Sequence, residues 1–330
     1  MDSRRPKVAI LGTRFGDFDV ETEVLGDVEL VSGPGKTRED ILEVAAGADV
    51  ILAGAAPRFD AATLEALGCR AVVRLGVGVD RVDLDSARSL RIWVVNVPDY
   101  GTDAVALHAV TLVLASLRRL TTADRHLRRG SWGVADLRPL HLPQAMTVGI
   151  LGFGRIGRRV AELLAGVGFE SFLVSDPAVT VADVSAVLGE IRARLVSMDD
   201  LIAGSDVVTL HAPPPADGYL LGAAELRTMR EGAILVNTAR GALVDTKALV
   251  TALGENRPAF AALDVFESEP PDVAVFEPVA DQVILTPHMS WYTEESELAL
   301  RRQAAVETRR ILAGEEPLHA VVTPVTAEVG

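Results

Sequence analysis

Cysteine is almost absent from this sequence of 330 residues, which contains a single one, Cys69. One cysteine excludes an internal disulfide and a metal cluster held by cysteines, and we expect no metal site. Disulfides are rare in proteins of the reducing cytosol, so this composition favours a cytoplasmic location.

Positive charge is also scarce. The 32 lysines and arginines are outnumbered by 46 aspartates and glutamates, which gives a formal net charge of −14. A surface that binds nucleic acid needs clustered positive charge, and no run of lysine and arginine is long enough to supply it. Nucleic acid is therefore not expected as a partner.

Long apolar runs are missing as well. No window approaches the roughly 20 apolar residues of a membrane-spanning helix. The apolar run in the N-terminal segment MDSRRPKVAILG is too short for the apolar core of a secretory signal. We expect neither a membrane segment nor a leader.

The chain does contain a repeated alternation of strands and helices, which predicts an α/β fold with parallel sheets covered on both faces. A length of 330 residues exceeds the size at which one core keeps growing, so two domains are predicted. In the first hundred residues, strands are predicted at Lys7–Leu11, Val28–Val31, Asp49–Ala53, Ala71–Leu75 and Ile92–Asn96. Helices are predicted at Arg38–Ala46, Ala61–Leu67 and Leu84–Leu90.

A long helix predicted over Thr102–Leu120 follows, and its apolar residues surround most of its circumference. That pattern is typical of a helix buried between domains or against another subunit. A linker, Arg118–Pro143, leads to a second α/β unit. Its predicted strands are Thr147–Leu151, Ser171–Ser175, Arg194–Val196, Asp206–His211, Ala233–Asn237, Phe260–Asp264 and Val283–Thr286.

The last predicted helix, Glu294–Ala313, extends past the final strand, and we expect it to cross back to the first domain. The first domain is then discontinuous in sequence. The predicted domains are residues 1–98 together with about 290–330, and residues 99–289.

The segment VGILGFGRIGRRV, residues 148–160, indicates a buried strand that leads into a glycine turn and a helix. Gly152, Gly154 and Gly157 have the G-x-G-x-x-G spacing of a dinucleotide site, in which the start of the helix faces the phosphates. The next strand ends in Asp176, 19 residues after Gly157. That distance suits a carboxylate that binds the adenosine ribose. The pattern favours a dinucleotide cofactor over an ordinary turn between strand and helix.

Polar side chains follow three further strands, at the edge where open α/β sheets bind ligands. In NTARG, Arg240 is followed by Gly241, which is expected to permit a sharp turn. Arg240 is suited to bidentate carboxylate binding, with a surface ion pair to Asp245 as the alternative. In TPHMSW, His288 would form a general acid/base pair with a carboxylate that orients it.

The third motif, LDVFESEP, contains three carboxylates in six residues, numbered 264 to 269. Asp264 closes a strand and Glu269 is fixed by the prolines that follow, so both are expected inside a cleft. Glu267 is interpreted as part of a solvated turn.

The ordered motifs VGILGFGRIG, VNTARGALVD, ALDVFESEP and TPHMSW, with RLGVGVDRVD near residue 80, resemble those of the D-isomer-specific 2-hydroxyacid dehydrogenase family. The resemblance covers essentially the whole chain. Within the family the sequence is most similar to the C-terminal-binding-protein and phosphoglycerate dehydrogenase branch. The resemblance implies two Rossmann-like domains with a cleft between them: a flavodoxin-like substrate domain and an NAD-binding, doubly wound parallel sheet.

The resemblance also implies roles for the matching residues. Arg240 would bind the substrate carboxylate and polarise the keto oxygen, His288 would exchange the proton, and Glu269 would raise the pKa of His288. The implied cofactor-binding residues are Gly152, Gly154, Arg155, Ile156, Gly157, Asp176, His211, Thr238, Ala239 and Asp264, the last of these at the nicotinamide carboxamide. The implied substrate-binding residues are Arg74, Val77, Gly78 and Trp291. For His211, a buried structural role stays open.

The implied activity is hydride transfer between NAD(H) and a small 2-hydroxy or 2-keto acid. Asp176 favours NAD over NADP, because a carboxylate bonds the ribose 2′-OH and repels a 2′-phosphate. The alternative is an NADH-sensing binding protein with little turnover. The intact Arg240, Glu269 and His288 favour the enzyme.

The substrate side chain is open. Arg14, Arg58 and Arg74 could accept a second anionic group, although exposed arginines on an acidic surface are the simpler interpretation for Arg14 and Arg58. Trp291 could equally stack on an apolar side chain.

Two positions depart from the family pattern: Leu107 stands where an acidic residue is common, and Gln144-Ala145 replaces a common Gly-Lys pair. Dimers of the family pair through the long helix and the linker, so the resemblance implies a homodimer. Leu112, Leu114 and Trp132 are candidate contacts, with burial inside the monomer as the alternative for each.

Overall fold

The computed structural model describes residues 4–13 and 15–324 and divides the chain into two compact units. One unit combines the residues up to Gly101 with those from Thr293 onward, and the other is Thr102–Tyr292. The strands are β1 (Lys7–Leu11), β2 (Glu29–Gly33), β3 (Val50–Ala53), β4 (Ala71–Arg74), β5 (Trp93–Val95), β6 (Thr147–Leu151), β7 (Ser171–Ser175), β8 (Arg192–Leu195), β9 (Val207–Leu210), β10 (Ile234–Asn237), β11 (Phe260–Leu263), β12 (Val283–Leu285) and β13 (Ala320–Val322). The helices are α1 (Asp19–Leu25), α2 (Arg38–Val44), α3 (Ala61–Leu67), α4 (Leu84–Ser89), α5 (Thr102–Leu117), α6 (Leu120–Arg128), α7 (Arg155–Gly166), α8 (Val181–Leu188), α9 (Met198–Gly204), α10 (Ala223–Thr228), α11 (Thr246–Gly254) and α12 (Glu294–Leu312).

The first unit is built on a six-stranded sheet in the order β13-β5-β4-β3-β1-β2. Strands β1 to β5 are parallel and have the 2-1-3-4-5 order of flavodoxin-like folds. Strand β13, which was not predicted, pairs with β5 in the antiparallel direction and adds one antiparallel edge strand to the parallel sheet. A strand of three residues is too short to show a pattern in the sequence.

Helix α12 belongs to the first unit, where it packs on α1 through a buried ion pair. Two nitrogens of Arg301 contact the two carboxylate oxygens of Glu21 at 3.0 and 2.7 Å. The side chains are 8% and 1% exposed, respectively. The C-terminal helix therefore completes the unit in which the chain begins. Helix α1 itself was not predicted, because its seven residues, DVETEVL, are too few to show a helical period.

The second unit is built on a seven-stranded parallel sheet in the order β12-β11-β10-β9-β6-β7-β8. The order reverses beside β6, which is the doubly wound arrangement of nucleotide-binding sheets. Both faces of the sheet are covered by apolar clusters. Ligands of such sheets bind beyond the carboxyl ends of the strands at the reversal, which here are the ends of β6 and β9.

The long predicted helix is α5, which ends three residues before the predicted end and is followed by a second helix, α6. Helix α5 ends at Leu117, Arg119 takes a left-handed conformation with φ of 46°, and α6 occupies the start of the predicted linker. Leu112 is buried in the core of its own unit, while Leu107 is 58% exposed. Most of the apolar surface of α5 is thus buried within the unit.

Of the other candidate contacts between subunits, Leu114 packs partly buried against the same core, and Trp132 is 92% exposed. Within the described residues, no single helix is long and apolar enough to cross a membrane. The pair α5 and α6, bent by 55°, passes that test together, by length and composition only.

Candidate active site

The turn between β6 and α7 forms a glycine cradle. Gly152 has φ of 91°, and a Cβ there would lie 2.5 Å from the carbonyl carbon of His211. A Cβ on Gly157 would lie 2.1 Å from the carbonyl oxygen of Gly152. Gly154 is exposed, and apart from its neighbours nothing in the described chain lies within 4 Å of a Cβ built on it. The outer side of the turn is therefore open to a ligand.

Helix α7 begins directly after this turn, with Gly154 as its N-cap and Arg155 and Ile156 in its first turn. Gly154 has no side chain that could cap the N–H groups of this first turn. The start of a 12-residue helix, reached over an open glycine, fits a pyrophosphate.

Asp176 lies beside the cradle, just after β7. Its Oδ2 accepts a hydrogen bond from the N–H of Phe153 at 2.7 Å, and its Oδ1 accepts one from Ala178 at 2.8 Å. Each carboxylate oxygen can accept a second bond. The carboxylate is thus held next to the glycine turn with capacity for the two ribose hydroxyls. The cradle and Asp176 together fit the adenosine half of a dinucleotide.

His211 follows β9, and its main chain packs against Gly152. Its Nε2 lies 2.9 Å from Oγ1 of Thr209. Burial lowers the pKa of the His211 ring to about 3, so the ring is neutral at physiological pH. This environment supports the structural role that the sequence left open, and a neutral ring can still lie along a cofactor.

Arg240 lies in the turn after β10, which Asn237 shapes. The Nδ2 of Asn237 donates to the carbonyl of Arg240 at 2.8 Å, and its Oδ1 accepts from the N–H of Ala239 at 3.0 Å. Sequence reasoning missed Asn237, although an asparagine at a strand end before a glycine is a turn signal. Gly241 was expected to permit a sharp turn, but its φ is not positive. Glycine is needed because a Cβ would lie 1.9 Å from the carbonyl carbon of Phe266.

Two other residues border this turn. Thr238 is 6% exposed, and among the described residues its Oγ1 has no hydrogen-bond partner. A buried hydroxyl of this kind has bonding capacity for a ligand that reaches the end of β10. Asp245, the alternative partner of Arg240, accepts the N–H of Ala248 at 3.0 Å and so caps α11.

Asp264, after β11, is fully buried. Its Oδ1 accepts from the hydroxyl of Thr286 at 2.5 Å and from the N–H of Met289 at 3.0 Å. Its Oδ2 accepts from the N–H of Ser290 at 2.9 Å. The sequence did not predict this role as the anchor of the segment that carries His288. The bond to a nicotinamide carboxamide stays a prediction.

His288 and Glu269 form a hydrogen-bonded pair, with Nδ1 of the histidine 2.7 Å from Oε2 of the glutamate. This bond raises the pKa of His288 above its ordinary value of 6.5, against a smaller opposing effect of burial. The charge of Arg240 lowers the pKa of His288 weakly. Burial tends to raise the pKa of Glu269, but the hydrogen bond and charge of His288 outweigh it and the pKa is lowered. The pair is therefore arranged as an imidazolium and a carboxylate, with Nε2 left for a substrate.

The backbone of His288 is strained, with φ of 51°. A residue other than glycine adopts this left-handed conformation only where its surroundings impose it. The N–H of His288 donates to the carbonyl of Asp264 at 2.8 Å, and Nε1 of Trp291 donates to the carbonyl of His288 at 3.1 Å. The substrate-pocket role expected of Trp291 stays a prediction, and the structure shows that its indole N–H holds the turn that carries His288.

Glu267 has more contacts than a solvated turn would give it. Its side chain is exposed, yet Oε1 accepts from the N–H of Thr246 at 2.7 Å and Oε2 from the hydroxyl of Tyr219 at 2.8 Å. Glu267 thus connects the loop after β11 to the start of α11. The sequence could not show this, because Tyr219 is 48 residues away.

The predicted substrate residues Arg74, Val77 and Gly78 belong to the first unit. Arg74 ends β4, is 6% exposed and donates from Nε to the carbonyl of Gly78 at 3.3 Å. Asn96, which the sequence did not single out, donates from Nδ2 to the carbonyl of Val77 at 2.8 Å. Both contacts hold carbonyls of the loop that contains Val77 and Gly78. The binding of a carboxylate by the N–H groups of this loop stays a prediction. Arg58 is exposed, and Arg14 lies outside the described residues.

The second unit thus places a glycine cradle, the carboxylate of Asp176, the guanidinium of Arg240 and the His288–Glu269 pair at the carboxyl ends of one sheet. Among the described residues, no group of three or more potential ligands is arranged to hold a metal ion. The strand order and these groups define a dinucleotide-binding domain equipped for acid/base chemistry.

A family model described as the D-isomer specific 2-hydroxyacid dehydrogenase NAD binding domain matches residues 110–290. The chain belongs to the D-isomer-specific 2-hydroxyacid dehydrogenase family, and NAD(H) is its cofactor.

Named relatives agree with this assignment. The chain is 37% identical over 293 residues to a glyoxylate reductase of Aeropyrum pernix, covering 86% of this chain and 85% of the relative. It is 35% identical over 306 residues to a D-3-phosphoglycerate dehydrogenase of Methanocaldococcus jannaschii, covering 92% of this chain and 56% of the relative. The chain thus spans about half the length of the phosphoglycerate dehydrogenases it matches. The crystal structure of a glyoxylate reductase from Paecilomyes thermophila is 29% identical, with a TM-score of 0.83 and coverage of 96% of this chain and 98% of that one.

Proposed function

We propose that this protein is an NAD-dependent D-2-hydroxyacid dehydrogenase that also acts as a 2-keto acid reductase. The contact between His288 and Glu269 carries the proposal. A histidine whose pKa is raised by a carboxylate keeps its proton to higher pH than an unpaired histidine, and the protonated ring is the state that a general acid needs.

In the reductive direction, the bound cofactor supplies a hydride to C2 of the keto acid. Negative charge then develops on the keto oxygen, and Nε2 of His288 donates the proton that this oxygen requires. Glu269 stabilises the imidazolium before that transfer. Arg240 binds the substrate carboxylate and stabilises the developing charge. In oxidation the same nitrogen of His288 removes the hydroxyl proton.

The proposed substrates are small 2-keto and 2-hydroxy acids. Arg74, the N–H groups of Val77 and Gly78, and the side chain of Trp291 are proposed to contribute to substrate binding. The named relatives are a glyoxylate reductase and D-3-phosphoglycerate dehydrogenases, so substrates with and without a second anionic group are to be compared. Arg74 is the cation suited to receive it.

The cofactor preference follows from Asp176. Its carboxylate repels the 2′-phosphate of NADP, and the residues after it, Pro177-Ala178-Val179, offer no cation to receive a phosphate. We expect kcat/KM with NADH to exceed that with NADPH by at least about tenfold. Comparable values for the two cofactors would contradict this role of Asp176.

We also propose a cytoplasmic homodimer. Large apolar side chains are exposed on α6 and the segment after it: Leu120, Leu127, Trp132, Val134 and Leu142. Exposed apolar side chains concentrated in one segment are typical of an interface. Sedimentation should give a dimer mass for the natural sequence and a monomer for W132E combined with L127E. A natural sequence that sediments as a monomer would contradict the proposal.

The direct test is NADH oxidation, followed by its absorbance, against a panel of 2-keto acids. The panel should include glyoxylate, pyruvate, larger apolar acids and a phosphorylated hydroxypyruvate. Turnover of at least one acid by the natural protein is expected. No turnover with any acid, together with NADH-dependent oligomerisation, would favour the NADH-sensing alternative.

A further inference from the structure

His108, on α5, reaches the buried carboxylate that anchors the turn of His288. Its Nε2 lies 3.1 Å from Oγ1 of Thr286 and 3.7 Å from Oδ1 of Asp264. The His108 side chain is 18% exposed, and Asp264 is fully buried. The contact therefore joins a helix on the face of the sheet to the strand ends that carry the site.

The direction of these hydrogen bonds follows from the acceptors. The two oxygens of Asp264 accept N–H groups of Met289 and Ser290, as expected of an ionised carboxylate. The hydroxyl proton of Thr286 is then committed to Oδ1 of Asp264 at 2.5 Å. The hydroxyl oxygen of Thr286 must accept from His108, so the proton of a neutral His108 ring is on Nε2.

This chain of donors ends at the main chain of the acid/base histidine. Asp264 receives N–H groups from the two residues after His288, and its own carbonyl receives the N–H of His288 at 2.8 Å. The φ of 51° at His288 persists only while these bonds hold it. A donor that fixes Thr286 and Asp264 thus fixes the direction of the His288 side chain.

We propose that His108 is a positioning residue for His288, acting through Thr286 and Asp264. The inference rests on the proposed function, since it concerns the rate of the same proton transfer. Removing the donor should loosen the turn and misplace Nε2 of His288, which lowers kcat more than it raises KM.

Matched variants separate the hydrogen bond from packing. H108Q keeps an amide N–H near the position of Nε2, whereas H108L fills similar space without a donor. T286V removes the acceptor without changing α5. H141L, at an exposed histidine in the segment before β6, controls for the loss of a histidine.

For keto acid reduction, we expect H108L to lower kcat about tenfold with KM for the acid within about twofold, and H108Q to keep most of kcat. When H108L is added to T286V, kcat should fall by less than about twofold further, since both groups act through the same series of hydrogen bonds. H141L should match the natural protein. An unchanged kcat in H108L, or equal losses in H108Q and H108L, would overturn the proposal.

A second measurement needs neither cofactor nor turnover. The indole N–H of Trp291, one of three tryptophans, bonds to the carbonyl of His288 and reports on this turn in nitrogen–proton NMR spectra. Its resonance, assigned with W291F, should move in H108L and T286V and stay in place in H108Q. If the natural protein turns over no keto acid, the proposed function fails. This spectrum still tests whether the hydrogen bonds of His108 and Thr286 position the turn of His288. A Trp291 resonance that H108L leaves in place would contradict the positioning role.

Discussion

Two strand ends of the second unit carry a histidine, and the two rings have opposite properties. At the end of β9, His211 has Thr209 as its neighbour, and burial lowers its pKa to about 3. After β12, His288 pairs with Glu269 and its pKa is raised. Both histidines lie at the carboxyl ends of strands in one sheet. The ring of His211 is neutral, whereas the ring of His288 is held in the protonated form by Glu269.

The position of each strand accounts for the difference. β9 lies next to β6 inside the sheet, the main chain of His211 packs against Gly152, and burial is the one cause of the lowered pKa of the His211 ring. β12 is the edge strand, beside β11, whose loop supplies Glu269. The His288 side chain is 40% exposed, so it can exchange protons. Neighbours, and not residue type, decide which histidine can act as an acid.

The largest expected effect is that of H288A. Removing the general acid should lower kcat for keto acid reduction by roughly two to four orders of magnitude. NADH should still bind, since the cradle and Asp176 are untouched, and fluorescence titration would show it. Turnover at the natural rate in H288A would end the assignment of His288.

The pH profile of the natural protein gives the next largest effect. Reduction needs protonated His288, so it should be fully active below the raised pKa. As pH increases through that pKa, above 6.5, kcat should decline about tenfold per pH unit. Oxidation needs the neutral ring and should rise over the same interval. Parallel profiles for the two directions would contradict a single histidine that serves as both acid and base.

The smallest effect is expected for H211Q. His211 stays neutral throughout the working range, so its replacement should change kcat by less than about threefold and leave the alkaline decline where it is. Stopped-flow or steady-state profiles of H211Q and the natural protein would show this. A displaced alkaline decline in H211Q would mean that the two histidines had been assigned the wrong way round.

Much of this site could be predicted from the sequence, because local patterns encode it. The glycine spacing and Asp176 were recognised within one strand–helix–strand unit, and Arg240, Asp264 and His288 each follow a strand. Functional residues at the carboxyl ends of strands can be predicted from the sequence where the strands are regular and the sheet is parallel.

Other features depend on residues far apart in the chain. The contact of His108 with Thr286 spans 178 positions, and no local pattern connects them. Gly241 was recognised, but for the wrong reason, because the close approach of Phe266 becomes visible only in three dimensions. The end of α5 was predicted three residues too late, at Leu120, because Arg119 takes a left-handed conformation that its residue type does not favour.

The central claim is that Glu269 keeps His288 protonated so that it can serve as the acid. The most direct test is the pH dependence of kcat for keto acid reduction in E269Q beside the natural protein. Glutamine keeps the shape of the partner and removes its charge. The account predicts that the alkaline decline moves to lower pH in E269Q. A decline at the same pH in both proteins would contradict it.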